Sequence, residues 1–260
     1  MKWIYRNGIF CNVLWWGVTL SAAENSPPRV MLVSPAVIFE ANIREQVEIL
    51  TRDLVGEPDK EKWAQQTFFD FLNRISARTD TSPGVLIPDL LSDLLCGKIT
   101  PEDFEKFAVK KMQEDSRLSG TEKLVVGAAI AVCADPQKQA DVTVVRRETV
   151  CALERWGKEK GIARLRVAGN GIAGWAAEVL RRNKLSCFGE YPKAGDLLSS
   201  KMGALCPSEA FFDKVAQALE VSRPALFFVG TKPDEQQACE SLHIPHCIVD
   251  PNSPCEQWGL

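Results

Sequence analysis

The 260-residue sequence predicts an α/β protein, in which a three-layer core with a parallel sheet carries an inserted helical module. Residues 148–249 alternate between helical periodicity and short apolar runs rich in Val, Ile and Phe, which is typical of βαβ units. Residues 43–147 instead repeat apolar positions at intervals of three and four, which favours helices. A chain of this length also fits one core domain with a smaller insertion.

The composition excludes several classes of protein. Thirty-one Lys and Arg residues face 34 Asp and Glu residues, and the net charge of -3 predicts no basic surface for nucleic acid. Hydrophobic residues make up 45% and charged residues 25%, which is typical of a globular protein and not of a disordered or multi-pass membrane protein. The two histidines, His243 and His246, are too few for a multi-histidine metal centre.

Residues 1–23 are interpreted as a signal peptide. Lys2 and Arg6 precede the uncharged stretch from Asn7 to Ala23, which ends in small residues and is shorter than the roughly 20 residues that span a bilayer. We therefore predict a secreted or periplasmic protein with no integral membrane span in the mature chain. A permanent membrane anchor and an ordinary first strand of a cytoplasmic protein remain the alternatives.

The first elements of the mature chain are one strand and several helices. Residues 29–42 are rich in Val and Ile, and they predict extended chain that ends in a buried strand AVIFE, residues 36–40. Apolar periodicity predicts helices over 45–54 and 61–75. A third helix is expected to start at Thr100, which can cap it, with Pro101 at the first helical position, and to end near Met112.

The rest of the chain predicts a regular alternation of elements. Helices are expected over residues 149–160, 174–183, 208–219 and 234–242, and strands over residues 163–169, 225–230 and 246–250. Because parallel sheets bind ligands at the carboxyl ends of their strands, three segments are expected to form a site. They are FEAN at 39–42, AGNG at 168–171 and VGTKPDE at 229–235.

This order of segments resembles the haloacid dehalogenase-like hydrolases. The resemblance is carried by FEAN, ALERWGKEKGIARLRVAGNG, SSKMGALCPSEAFFDKVAQALEV and ALFFVGTKPDEQQACESLHIP, together with GKITPEDFEKF in the inserted module. It covers residues 30–250 and is strongest for members with a helical cap inserted after the first strand, such as the two-carbon haloacid dehalogenases. It implies a Rossmann-like core over residues 24–42 and 148–260, with a helical cap over residues 43–147.

The resemblance also implies a pair of catalytic aspartates, and this sequence departs from them. The family has an Asp nucleophile at the end of the first strand and, two residues on, an Asp that acts as general acid and base. The sequence has Glu40 and Asn42 at these positions. The extra methylene of Glu40 moves its carboxylate by about 1 Å, which disturbs an attack that depends on alignment. The amide of Asn42 has no proton to exchange near neutral pH.

Two further motif positions have lost their family residues. At the end of the next strand, the family has a Ser or Thr that binds phosphoryl oxygens. This sequence has Gly169 there, followed by Asn170. The resemblance implies a Lys directly before Pro207. This sequence has Cys206 there, which we interpret as an inert, half-buried thiol. Lys201, five residues upstream, would need a loop shift to replace that Lys.

The acidic pair that would bind magnesium reads Thr231 and Glu235, so Glu40 and Glu235 are the remaining acidic candidates for metal ligands. Because all of these positions depart together, we predict a pseudoenzyme that binds a small anion or a protein partner. The alternative is a weak or divergent metal-dependent phosphatase or hydrolase that uses Glu40 and Glu235. No cofactor is expected, except Mg²⁺ if activity is retained.

The segment GNGIAG, residues 169–174, leaves a second alternative open. It matches the GxGxxG pattern after a strand and before a helix, with Glu190 about 20 residues on, which is typical of dinucleotide binding. The other interpretation is that these glycines only permit a tight turn. Backbone N–H groups of Gly169, Asn170 and Gly171 are in either case expected to form a small nest for an anion.

Overall fold

The computed structural model describes residues 29–41, 88–116, 118–162, 164–188, 197–255 and 258. The predicted signal peptide at 1–23, the helices at 45–54 and 61–75, Asn42 and Glu190 lie outside the described residues.

Strands and helices alternate through the core, and the regular elements described between β2 and β3 are all helices. The strands are β1 (Val30–Val33), β2 (Phe39–Ala41), β3 (Thr143–Val145), β4 (Arg164–Gly169), β5 (Leu197–Leu198), β6 (Leu226–Gly230) and β7 (His246–Ile248). The helices are α1 (Pro35–Ile38), α2 (Pro88–Leu95), α3 (Pro101–Glu114), α4 (Gly120–Ala134), α5 (Pro136–Asp141), α6 (Arg147–Glu159), α7 (Trp175–Arg182), α8 (Ser199–Met202), α9 (Glu209–Leu219) and α10 (Pro233–Ser241).

Five parallel strands form the central sheet in the order β5-β4-β1-β6-β7. Strand β1 lies in the middle, where Val33 pairs with Val167 of β4 on one side and with Val229 of β6 on the other. All four residues of β1 are completely buried. A parallel strand covered on both faces requires such an uninterrupted apolar run.

Helices cover both faces of this sheet. On one face, Met31 and Val33 pack with residues of α6 and α7, such as Leu153 and Val179. On the other face, Leu32 packs with residues of α9 and α10. The result is a three-layer α/β fold with a Rossmann-like parallel sheet, as the sequence predicts.

The predicted position of the first strand is wrong. The Val and Ile content predicts a strand over residues 36–40, whereas the sheet contains Val30–Val33 and the chain then turns into the short helix α1. Pro35 favours this turn, because the first helical position tolerates its missing N–H and its fixed φ. Glu40 belongs to β2, which pairs antiparallel with β3 outside the central sheet. Ser34, and not Glu40, therefore follows the first sheet strand.

The other predicted elements of the core are confirmed within one or two residues. Strands β4, β6 and β7 and helices α6, α7, α9 and α10 lie where the apolar patterns place them. Helix α3 also begins as predicted, with the Thr100 hydroxyl accepting the N–H of Asp103 at 3.1 Å. The sequence patterns do not predict β3, β5 or α8, because elements of two to four residues are too short to show a period.

Helices α2 to α4 share an apolar cluster of their own. Phe104, Met112 and Ile130 are buried in it, and Ile172 from the loop after β4 joins them. The described helical residues therefore pack against the sheet domain through that loop. No helix among the described residues is long and apolar enough to cross a bilayer.

Arg182 links the helical segment to the sheet domain. Its guanidinium binds Glu178 within α7 and also Asp141 at the end of α5. Arg181 binds the same Glu178 carboxylate. Hydrogen bonds from Arg181 and Arg182 lower the pKa of Glu178 to about 2, from an ordinary value of 4.5.

This pKa shift predicts a loss of stability in acid. The folded-state pKa lies below the unfolded one, so the ionised Glu178 stabilises the fold above pH 4.5, and this stabilisation is lost as the pH falls toward 2. We expect the melting temperature to fall less between about pH 5 and about pH 3 in Glu178→Gln than in the wild type. Thermal unfolding followed by circular dichroism measures this, and equal falls would contradict it.

Candidate functional site

A cleft of about 310 Å³ opens at the carboxyl ends of the central strands. Its polar lining includes Glu40, Asn170 and Glu235, each from one of the three segments that the sequence predicts to form a site. The lining also includes Ser34, Thr143 and Trp175, which the sequence patterns do not predict. Lys232 lies within the predicted segment 229–235, but it is not one of the candidate site residues. This position at the strand ends is where parallel α/β sheets bind their ligands.

Ser34 and Glu235 meet at the floor of this cleft. Ser34 follows β1 and Glu235 lies in the first turn of α10, and the two residues are 5% and 6% exposed. The Ser34 hydroxyl donates a hydrogen bond to Oε1 of Glu235 at 3.3 Å. A buried carboxylate needs such partners, because burial of a charge without them is costly.

The second carboxylate oxygen of Glu235 is bound by the backbone of its own helix. Oε2 accepts the N–H groups of Thr231 at 2.7 Å and Lys232 at 3.0 Å. These N–H groups lie at the start of α10 and have no partner within the helix. Glu235 therefore closes the helix terminus and joins it to β1 through Ser34.

The side chains predicted as metal ligands, Glu40, Thr231 and Glu235, do not fit a magnesium site. Both oxygens of Glu235 already accept hydrogen bonds, and Glu40 is 60% exposed and pairs with Arg146 at 3.5 Å. The backbone N–H of Thr231 binds Oε2 of Glu235, an oxygen that a metal ion at this site would need. Across the ranges that the structure describes, no three His, Cys, Asp or Glu side chains lie close enough together to hold a metal ion.

Arg146 fixes the wall of the cleft that carries Glu40. Its Nη1 donates to the carbonyl oxygens of Ala36 at 2.9 Å and Phe39 at 3.0 Å, and its backbone N–H donates to the carbonyl of Ile38. Arg146, which directly follows β3, thus binds three carbonyl groups of residues 36–39. The exposed carboxylate of Glu40 lies on the wall that these hydrogen bonds connect to β3.

Two aromatic side chains form an apolar part of the lining. Phe39 and Trp175 meet edge to face with 5.6 Å between ring centroids. The Trp175 indole N–H donates to the Thr143 hydroxyl at 3.0 Å. This pair gives the cleft an apolar surface beside its charged groups.

Gly169 is closely covered by Pro35. A Cβ atom added at Gly169 would lie 2.6 Å from Cδ of Pro35, which is closer than real Cβ atoms approach. The family's Ser or Thr therefore has no room at this strand end. The pyrrolidine ring takes the space in which that side chain would project.

Asn170 and Cys206 are joined to each other and do not act as free groups. The Asn170 amide donates to the carbonyl of Cys206 at 2.7 Å and accepts the N–H of Cys206 at 2.9 Å. Cys206 is 5% exposed, and burial raises the pKa of its thiol. This agrees with an inert thiol.

The positive charge in the lining of the cleft belongs to Lys232, while Lys201 lies exposed on α8.

Two backbone N–H groups of the GNGIAG segment already bind side chains of α8. The N–H of Gly171 donates to the Ser199 hydroxyl at 3.2 Å, and the N–H of Ala173 donates to the Ser200 hydroxyl at 2.6 Å. A Cβ at Gly171 would also lie 3.1 Å from the side chains of Leu198 and Trp175. The structure therefore favours the tight-turn interpretation over a dinucleotide site, and it removes Gly171 from the expected anion nest.

Solved structures of haloacid dehalogenase (HAD) proteins resemble this chain. A HAD family enzyme from Bacteroides thetaiotaomicron superposes with a TM-score of 0.50 at 12% identity, over 88% of this chain and 96% of its own. An aspartate-to-alanine variant of that enzyme, in complex with magnesium and inorganic phosphate, gives 0.50 at 13% identity, over 87% and 96%. A predicted HAD-like family hydrolase from Porphyromonas gingivalis gives 0.51 at 12% identity, over 88% and 94%.

These similarities show the fold. No protein-family model matches the sequence, and no curated protein matches it either. At 12–13% identity the solved structures establish that the chain has the HAD-like fold, as the sequence resemblance implies. What the site does has to be argued from its own residues.

Proposed function

We propose that this protein keeps the HAD-like fold without the family's hydrolase activity and acts by binding a ligand or partner. The observation that carries this proposal is the sequence Ser34-Pro35-Ala36 directly after β1. In the family this strand end has the nucleophile and the acid–base residue, both Asp. Here Ser34 has a hydroxyl, which binds Glu235, and Ala36 has a methyl group, so neither residue supplies a carboxylate.

The neighbouring strand ends support the same conclusion. Pro35 occupies the space for a phosphate-binding side chain at Gly169, and the position of the family's Lys carries the buried Cys206. Loss of one group that stabilises the transition state costs about 3–4 kcal/mol, and losses within one constellation are not simply additive. Several such losses around one cleft are sufficient to abolish measurable turnover.

A weak metal-dependent hydrolase is the second candidate. It is supported by Glu40 and Glu235, which both line the cleft. Mg²⁺ would be the cofactor in that case, and Glu40 would have to leave Arg146 to bind it. The hydrogen bonds of Glu235 make this candidate the weaker one.

An activity assay separates the two candidates. We expect purified protein with Mg²⁺ to hydrolyse p-nitrophenyl phosphate and 2-haloacids no faster than buffer, because none of the residues 34–36 that follow β1 has a carboxylate. Glu40→Gln is the control variant, and it should leave this background unchanged. A metal-dependent turnover that Glu40→Gln abolishes would show that the protein is a hydrolase.

The ligand is a small anion in the cleft, held by Lys232, or a protein that contacts the helical cap at residues 43–147. The net charge of -3 supports no role for nucleic acid. Residues 1–23 direct export to the periplasm or the exterior, as their charged start, short apolar run and small residues indicate.

A further inference from the structure

A second, larger depression lies between helix α6 and the turn that follows β7. Its volume is about 910 Å³. One wall is the exposed face of α6 with Arg147, Cys151 and Arg155, and the other wall is the turn of residues 251–255. We call this depression the α6 groove.

The exposed face of α6 gives the groove its length. Arg147, Cys151 and Arg155 are spaced by four residues, so they lie on one side of the helix, and all three are exposed. The opposite side of α6 is buried against the sheet through Val150 and Leu153. Eight residues of helix separate the two arginines by about 12 Å along the axis.

The charge of the groove is opposite in sign to that of the whole chain. Its lining contains three basic residues and one acidic residue, namely Arg146, Arg147, Arg155 and Glu148. Arg147 contacts only neutral oxygens of Asn183, at 3.3 and 3.5 Å, among the described residues. Even with Arg146 paired to Glu40, the groove presents two guanidinium groups in a protein with a net charge of -3.

The second wall is held in place by hydrogen bonds of its own. The Asp250 carboxylate accepts the N–H of Asn252 at 2.9 Å and the hydroxyl of Ser253 at 3.0 Å. The indole N–H of Trp258 donates to the carbonyl of Asp250 at 3.1 Å. The turn is therefore formed before any ligand arrives, which lowers the entropic cost of binding.

We propose that the α6 groove docks an extended acidic segment of a partner protein. An extended chain rises about 3.3 Å per residue, so four or five residues cover the 12 Å between Arg147 and Arg155. Acidic side chains four residues apart then meet the two guanidinium groups, whose planar donors match carboxylates. The proposal does not rest on the loss of hydrolase activity, since it concerns a different surface.

Fluorescence anisotropy with a fluorescein-labelled hexaglutamate peptide tests this on the full chain. We expect hexaglutamate to bind and hexaglutamine not to bind, with affinity that falls as ionic strength rises. Arg147→Glu with Arg155→Glu should weaken binding at least about tenfold. The matched control, Lys160→Glu with Arg164→Glu, changes the net charge equally on exposed residues outside the groove. It should leave the affinity nearly unchanged.

Alkylation of Cys151 gives a second measurement that needs no variant. This exposed thiol lies between the two arginines, so hexaglutamate should slow its reaction with iodoacetamide, measured by mass spectrometry, and hexaglutamine should not. Equal binding by the groove variant and the control would overturn the proposal, as would an unchanged rate at Cys151. A single-stranded oligonucleotide that binds more tightly and displaces hexaglutamate would assign the groove to nucleic acid instead.

Discussion

Replacement of Gly169 by serine is expected to destabilise the protein by about 2–3 kcal/mol, although serine is a residue type that the family has at this position. The new Cβ would lie 2.6 Å from Cδ of Pro35, and both residues are buried. Close-packed interiors cannot absorb such an overlap without moving a neighbour. Pro35 has little freedom to move, because it begins α1 directly after the central strand.

Chemical denaturation of the variants measures this effect. Gly120→Ser is the matched control, since a Cβ at Gly120 meets nothing within 4 Å, and its stability should change by less than about 0.5 kcal/mol. Pro35→Ala should relieve the overlap, so that the double variant with Gly169→Ser is more stable than additivity predicts by at least about 1 kcal/mol. Additive effects would show that Pro35 does not occupy the space of the serine.

The contact between Pro35 and Gly169 also predicts what a serine at position 169 could do. The ring of Pro35 occupies the space into which a side chain at Gly169 would project. A serine introduced there alone would therefore not create a phosphate site. Gly169 and Pro35 pack together where β4 and β1 end.

The later strands could be predicted from sequence because each has an unambiguous local signal. The run at 226–230 is apolar, and the run at 164–169 combines two arginines with four apolar or small residues. Both runs end in Gly and lie between segments of helical periodicity, so each predicts a single strand. The first strand is different. Two apolar runs, VMLV and AVIF, stand on either side of Ser34-Pro35, and local composition alone favours the wrong one.

The contacts of the site could be predicted only in part. The rule that parallel sheets bind ligands at the carboxyl ends of their strands predicts Glu40, Asn170 and Glu235 at one cleft, and all three line it. The partners of their side chains are set by packing. Ser34 lies 201 residues from Glu235, and no spacing in the sequence relates them. Lys232 could have been found, since it directly follows the VGT strand end.

Replacement of Glu235 by alanine is expected to destabilise the protein by about 2–4 kcal/mol. The change removes the acceptor for two backbone N–H groups at the start of α10 and for the buried hydroxyl of Ser34. Glu235→Gln keeps one carbonyl oxygen and the shape of the side chain, so its loss should be only about 1 kcal/mol. Urea denaturation measures both changes, and an unchanged m-value would show that the unfolded state is unaffected.

The control for this prediction is Glu240→Ala, which lies on the same helix but is exposed and should change stability by less than about 0.5 kcal/mol. Equal losses at Glu235 and Glu240 would contradict the capping role.

The same variants test the metal candidate, because an ion that binds only the folded state raises its stability. If the Glu235 carboxylate serves the backbone and Ser34, Mg²⁺ should not stabilise the wild type. A magnesium-dependent gain that Glu235→Gln removes would instead assign this carboxylate to a metal site.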